Sequence, residues 1–373
     1  MPLKGGGRLH SIVERFMYLN RLTLTLAAAW IGAAPVPVAA APVADPTARP
    51  ALMVAQPARA YLTGIARAGK RLVAVGERGV IVLSDDDGAT WRQASVPVSV
   101  TLAAVQFPTP TQGWAVGHYG VVLHSGDGGA TWTRQLDGVQ AAQLVLRDAQ
   151  AAQGGAAYLA DAQRLVADGP DKPFLGLHFT DENNGFIVGA YNLAFRTRDG
   201  GKTWAPFGNR LDNPKASHLY AVEASGSDVL IAGEQGVLLR STDGGATFAR
   251  IALPYKGSFF ALTLGGADAV VAGLGGNAFS SHDRGATWTA LAVPAPVSVT
   301  AAHLRDGRLL MANQAGMLLA GATGATAIAP LNTQALPQPN DLIALPDGTI
   351  VTVGVAGVVR LPAHAATTSM AAR

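Results

Sequence analysis

The chain contains no cysteine in 373 residues. That excludes disulfide staples, thiolate metal sites, a cysteine nucleophile and a lipid on an N-terminal cysteine. Charged residues are scarce, at 14 %, and apolar residues reach 49 %, which argues for a sizeable core and against disorder outside the ends. No excess charge of one sign remains once the N-terminus is set aside. The formal surplus of +3 is carried there by Lys4, Arg8, Arg15 and Arg21 against Glu14, so nothing in the rest of the chain asks for nucleic acid. After residues 22–34 no apolar run approaches the length of a membrane-spanning helix.

What is present at the N-terminus reads as an export signal. A basic start, the apolar run at 22–34 and the small residues of "VAAAP" predict cleavage after Ala40. The rival reading, a membrane anchor, suffers from a short, proline-rich apolar segment. The expected organisation is a signal peptide at 1–40, a linker at 41–50, one folded body at 51–363 and a tail at 364–373. A periplasmic location follows from the leader.

The body repeats itself. "SDDDGATWRQ" begins at Ser84, "SGDGGATWTR" at Ser125, "TRDGGKTWAP" at Thr197, "STDGGATFAR" at Ser241 and "SHDRGATWTA" at Ser281. The closing aromatics, Trp91, Trp132, Trp204, Phe248 and Trp288, are spaced by 41, 72, 44 and 40 residues. A Gly-x-x-Gly turn precedes each phrase, and its second position recurs at Gly79, Gly120, Asn192, Gly236, Gly276, Gly316 and Gly357. Asn192 can stand in for glycine because it tolerates positive φ. Seven units follow, two of which have lost the aspartate phrase.

Each unit divides into four short strands, in the first unit at 61–66, 71–75, 80–83 and 90–94. Four strands in about forty residues is the size of a propeller blade. The expected fold is all-β, a seven-bladed β-propeller of four-stranded blades with a helical insertion at 137–173 between blades 2 and 3. Apolar spacing in "VQAAQLVLRDAQ" and "AAYLADAQRLVADGP" predicts two helices there. The last unit offers only three strands, and the segment 51–55, "ALMVA", is expected to supply its missing outer strand.

The repeated phrase resembles the Asp-box, or bacterial neuraminidase repeat. Its residue types suit a self-contained turn: Asp86, Asp127, Asp199, Asp243 and Asp283 can accept backbone N–H bonds, and the aromatic that closes each phrase can pack between blades. Asp85, Asp86 and Asp87 lack the alternation and the late glutamate of a calcium loop, so no metal is expected. "GGKT" at 200–203 sits at one of five equivalent turns and does not read as a phosphate loop. These phrases are read as scaffold.

Function is expected on the opposite face, where a constant frame carries variable residues. The candidate partner contacts are Glu77, Arg78, His118, Tyr119, Tyr191, Asn192, Glu234 and Gln235, with Lys172, Lys215 and Lys256 adding positive charge. No catalytic residue and no cofactor is assigned. Sialidases share the Asp-box, but no Arg-Ile-Pro opens this chain, and no spacing pairs Tyr119 or Tyr191 with Glu77, Glu223 or Glu234. A glycan-binding or sialidase-like glycoside hydrolase is the alternative, marked by an arginine cluster beside a Tyr–Glu pair at the axis.

From about Tyr61 to Leu361 the chain resembles the photosystem II stability and assembly factor family. The resemblance is carried by "AVGHYGVVLHSGDGGATW" and "LHFTDENNGFIVGAYNLAFRTRDGGKTW". It implies a seven-bladed, non-catalytic, exported scaffold that binds a membrane or envelope protein, in other bacteria an export or efflux component. Arg78 is the one turn arginine that the resemblance offers for binding.

Overall fold

The computed structural model describes residues 44–151, 155–332 and 334–363. The leader, the cleavage after Ala40 and the tail lie outside the described residues. Seven antiparallel sheets succeed one another along the chain, at 62–93, 102–136, 174–206, 219–250, 259–290, 299–330 and 339–361. Blade 1 is typical, with strands Leu62–Ala68, Arg71–Gly76, Ile81–Ser84 and Arg92–Gln93. The second strand, such as Arg71–Gly76, is buried almost throughout because it has a neighbouring blade on both sides.

Seven separate apolar clusters fill the seven gaps between blades, and the box aromatics show how. Trp132 of blade 2 packs with Val73 and Leu83 of blade 1. Trp204 packs toward blade 2, Phe248 toward blade 3 and Trp288 toward blade 4. In blade 6 Ile328 takes the same position, against blade 5. Each box aromatic therefore seals its blade to the preceding one.

The ring closes by the same means. Trp91 and Leu72 of blade 1 meet Val351 and Val353 of blade 7. Across this seam Asn340 Nδ2 donates to the Leu62 carbonyl at 2.7 Å, and the Ile65 amide donates to Asp341 Oδ2 at 3.0 Å. The expected strand exchange does not occur. Blade 7 has three strands among the described residues, and 51–55 forms none of them. That segment is captured by blade 1 instead: Ala51 N donates to Val96 O at 3.0 Å, Val54 N to Gln93 Oε1 at 3.0 Å, and Gln93 Nε2 to Leu52 O at 2.9 Å. A 3-10 turn at Pro57–Arg59 redirects the chain, and its backbone abuts Gly357 where a link between blades would otherwise run.

The five Asp-boxes share one bonding scheme. In blade 1 Ser84 Oγ donates to Asp86 Oδ1 at 2.8 Å and accepts from Gly88 N at 2.8 Å, while Thr90 N donates to Asp86 Oδ1 at 2.9 Å. Asp127, Asp199, Asp243 and Asp283 repeat it. The hydroxyl and amide of Thr90 and the Ser84 hydroxyl hold the Asp86 carboxyl down at about 2. The Asp243 and Asp283 carboxyls are lowered for the same reason. A carboxyl depressed on folding stabilises the fold above its unfolded value, and that stabilisation disappears as pH falls through the folded value. The urea midpoint is thus expected to drop between about pH 4 and pH 2, and to drop less steeply in Asp86→Asn. An unchanged slope in that variant would separate acid sensitivity from the boxes.

The insertion forms two helices, α1 (Gly138–Ala151) and α2 (Gly155–Asp168). Ala141, Leu144, Val145 and Leu165 pack onto the core between blades 2 and 3. Tyr158 Oη donates to Asp148 Oδ2 at 2.9 Å and ties the helices together. No helix among the described residues is long and apolar enough to cross a membrane.

Candidate functional site: the Gly-x-x-Gly face

Antiparallel order places the turns between strands two and three, with the links between blades, on one face. The Asp-boxes and the turns between strands one and two share the other. On that second face Arg71 Nε meets Asp85 Oδ1 at 2.6 Å, and its Nη1 reaches the Gly128 carbonyl in the next box at 3.1 Å.

Two positions in the Gly-x-x-Gly turn are forced for different reasons. A side chain on Gly76 would strike the Tyr61 carbonyl, because the first strand crosses there at a bulge. Gly79 has φ +76 and lies against the Val98 carbonyl of the following link. In blade 6 Asn313 fills the first position, and its buried Oδ1 accepts from Ala315 N and Met317 N. It is therefore part of the frame.

The residue before the second glycine is left-handed as well. Arg78, Tyr119, Tyr191 and Gln235 have φ of 52, 58, 53 and 52, whereas blade 5 relaxes the position with Gly275. A non-glycine residue here carries strain on the order of 1 kcal/mol. Four consecutive blades keep it and so retain side chains that the backbone disfavours. Arg78→Gly is expected to raise the unfolding free energy by about 0.5–1 kcal/mol, read from a urea midpoint. A loss of stability would mean that the Arg78 side chain is part of the frame.

The sequence-derived residues divide by surroundings. Arg78 and His118 are exposed, and their side chains make no hydrogen bond or ion pair among the described residues. Tyr119 packs partly against the blade 1–2 core. Asn192 is structural: its Nδ2 donates to Gly208 O at 2.8 Å, and its Oδ1 accepts from Asn213 Nδ2 at 2.9 Å. Lys215 Nζ donates to Gln235 Oε1 at 3.4 Å.

Blades 3 to 5 carry a cluster that includes three residues absent from the sequence reading: His218, Tyr220 and Phe260. The Tyr191 ring stands edge-on to His218 at 4.9 Å, with Lys172 Nζ 5.9 Å from its centre. Glu234 gathers three bonds, from His218 N at 2.9 Å, Tyr220 Oη at 3.1 Å and His218 Nδ1 at 3.2 Å. Tyr220 lies 5.3 Å from Phe260. The signal for these residues was their place at the head of a first strand, next to the face.

Tyr220 and Glu234 form a Tyr–Glu pair, which invites comparison with a glycosidase. Burial, and then the Glu234 charge, push the Tyr220 phenol up to about 12, away from a nucleophile. The pair's other partner is His218, and no arginine joins it among the described residues.

Apolar exposure is segregated. Tyr191 is 59 % exposed and Leu274 is 50 % exposed, and with Tyr61, Val139 and Val355 they lie on the Gly-x-x-Gly face. Leu52, Met53 and Val54 stand at the rim of blade 1 beside the same links. No large apolar side chain is exposed on the Asp-box face among the described residues.

Comparison with known proteins adds four findings. A family described as photosynthesis system II assembly factor YCF48 matches residues 83–154 and 161–319. A curated photosystem II assembly lipoprotein Ycf48 from Synechococcus sp. (strain CC9902) is 35 % identical over 82 residues, which are 22 % of this chain and 25 % of that protein. The chain thus matches about a quarter of that relative's length. Among solved structures, YCF48 bound to D1 peptide aligns over 85 % of this chain and 97 % of its own, at 16 % identity and TM-score 0.59. A xyloglucanase from Xanthomonas campestris aligns over 86 % of this chain and 54 % of its own, at 14 % identity and TM-score 0.58. At such identities the structures share the fold alone.

Proposed function

The chain belongs to the photosynthesis system II assembly factor YCF48 family, and from that premise we propose that it is a non-catalytic, exported scaffold that docks a membrane or envelope protein on its Gly-x-x-Gly face. One observation carries the reading: the large exposed apolar side chains lie on that face or at its rim, and none lies on the Asp-box face among the described residues, an asymmetry that favours this face for docking. The strained turn residues Arg78, Tyr119, Tyr191 and Gln235 support it, since strain of this sort concentrates at functional surfaces. The relative solved with a D1 peptide supports a segment of a membrane protein as the ligand. An export or efflux component as partner rests on the sequence resemblance alone. Export rests on the leader pattern, and the lipoprotein relative is consistent with it. This chain has no cysteine to carry such a lipid.

A glycan-binding reading has one observation in its favour, the Tyr220–Glu234 pair. Its phenol is shifted the wrong way for attack, and among the described residues no arginine joins it to hold a substrate carboxylate.

Photo-cross-linking in cell envelopes tests the docking proposal. A benzophenone side chain at position 191 or 274 is expected to give protein adducts, and one at position 306 on the other face none. Arg78→Glu should reduce the adduct yield. Adducts from position 306 alone, or equal yield from both faces, would overturn the assignment.

A further inference from the structure

A second group of reactive side chains lies inside the ring. The first strands of all seven blades line an axial channel, with a narrow part of about 190 Å³. It widens to about 580 Å³ toward the Asp-box face, where the turn residues Asp306 and Gly348 stand at its mouth. Glu223, His303 and Asp341 line both parts.

These side chains are paired across neighbouring blades. His178 Nδ1 of blade 3 lies 3.0 Å from Glu223 Oε2 of blade 4. His303 Nε2 of blade 6 lies 2.7 Å from Asp341 Oδ1 of blade 7. Asp341 also accepts from Ile65 N and Leu342 N. Glu223 Oε1 has no hydrogen-bond partner among the described residues. Apolar groups, Ile65, Leu177, Leu304 and Leu342 among them, line the wide part together with Gln106. Arg305 at the mouth is turned to Asp306, with its Nε 3.5 Å from Asp306 Oδ2, and Arg308 stands beside them.

We propose that this cavity binds an organic cation, an ammonium or guanidinium group on a hydrocarbon stem, with Glu223 and Asp341 as its anionic receptors. Two carboxylates at the waist of the channel supply negative charge, and the apolar stretches of its wall supply a surface for methylenes. No group of three or more His, Asp or Glu among the described residues is placed to hold a metal ion. The ligand is therefore recognised by hydrogen bonds and charge.

Protonated imidazoles compete for the same carboxylates. Withdrawal from bulk water, for His178 by burial and for the 47 % exposed His303 by its place inside the channel, would push both imidazoles down, but Glu223 and Asp341 outweigh it and hold both above their ordinary 6.5. When protonated, each imidazole neutralises its carboxylate. Raising the pH through those elevated values frees the carboxylates, so affinity for a cation increases with pH. Arg305, Asp306 and Arg308 complete the charged groups around the wide cavity.

Calorimetric titration of the full chain with agmatine, which has a guanidinium and an ammonium on a short stem, tests the site. Saturable one-to-one binding is expected near pH 8.5, weakened about tenfold near pH 6. E223Q should weaken it at least about tenfold while its circular dichroism is unchanged, and succinate should not bind. The pH comparison uses the unaltered chain and stands even where E223Q fails to fold. No binding at about 10 mM agmatine, equal affinity at the two pH values, or equal affinity in a folded E223Q would each overturn the proposal.

Discussion

Trp114→Ala is expected to lower the unfolding free energy by about 3–5 kcal/mol, a large share of the stability of an ordinary domain. Trp114 sits on the second strand of blade 2 and is fully buried. Its ring stacks on Phe179 of blade 3 with centres 3.8 Å apart and planes 10° from parallel. Its Nε1 donates to Gln135 Oε1 at 3.1 Å, and Gln135 Nε2 in turn donates to Gly200 O in the next Asp-box at 2.8 Å. Alanine removes the ring that joins the two blades and takes the donor from a partly buried acceptor, so a smaller polar cost adds to that of the cavity. Trp288 is only partly buried and its loss should cost less than half as much. Urea denaturation at constant m-value measures both. A Trp114→Ala midpoint shift no larger than that of Trp288→Ala would refute this account of how blades are joined.

The second large effect concerns docking. Tyr191→Glu combined with Leu274→Glu should weaken partner capture about 100-fold, as expected when two central apolar contacts are lost. Stability should change little, because both side chains are exposed at turns. Asp306→Lys on the opposite face is the matched control. Capture from detergent-solubilised envelopes, scored with the urea midpoint of each variant, reads binding and folding separately. Intact capture by the double variant would remove the Gly-x-x-Gly face as the docking surface.

Much of the fold was legible because its determinants are local. Ser84, Asp86, Gly88, Thr90 and Trp91 bond to one another within eight residues, and a phrase that closes its own turn can be recognised wherever it recurs. The turn glycines are set by the first strand of their own blade, as at Gly76, and by the link that follows it, as at Gly79, both close by in the chain. Blade number and order, and the face on which each turn lies, follow from that period. The insertion announced itself by helical spacing and by the one long interval between boxes.

What stayed hidden depends on contacts between blades. The segment 51–55 has an apolar pattern suited to an outer strand, yet Gln93 and Val96 of blade 1 hold it, and Trp91 against Val351 closes the ring without it. Nothing local could choose between those partners. His218, at the head of a first strand, meets Tyr191 in the preceding blade's turn across 27 positions, and His303 meets Asp341 across 38 because consecutive first strands stand side by side around the axis. Sequence by itself determined the repeating unit and its turns, whose energies are settled within about forty residues. Tertiary structure alone decided the seam, the channel and the cluster on the face, because those exist only once side chains from different blades are brought to a common radius.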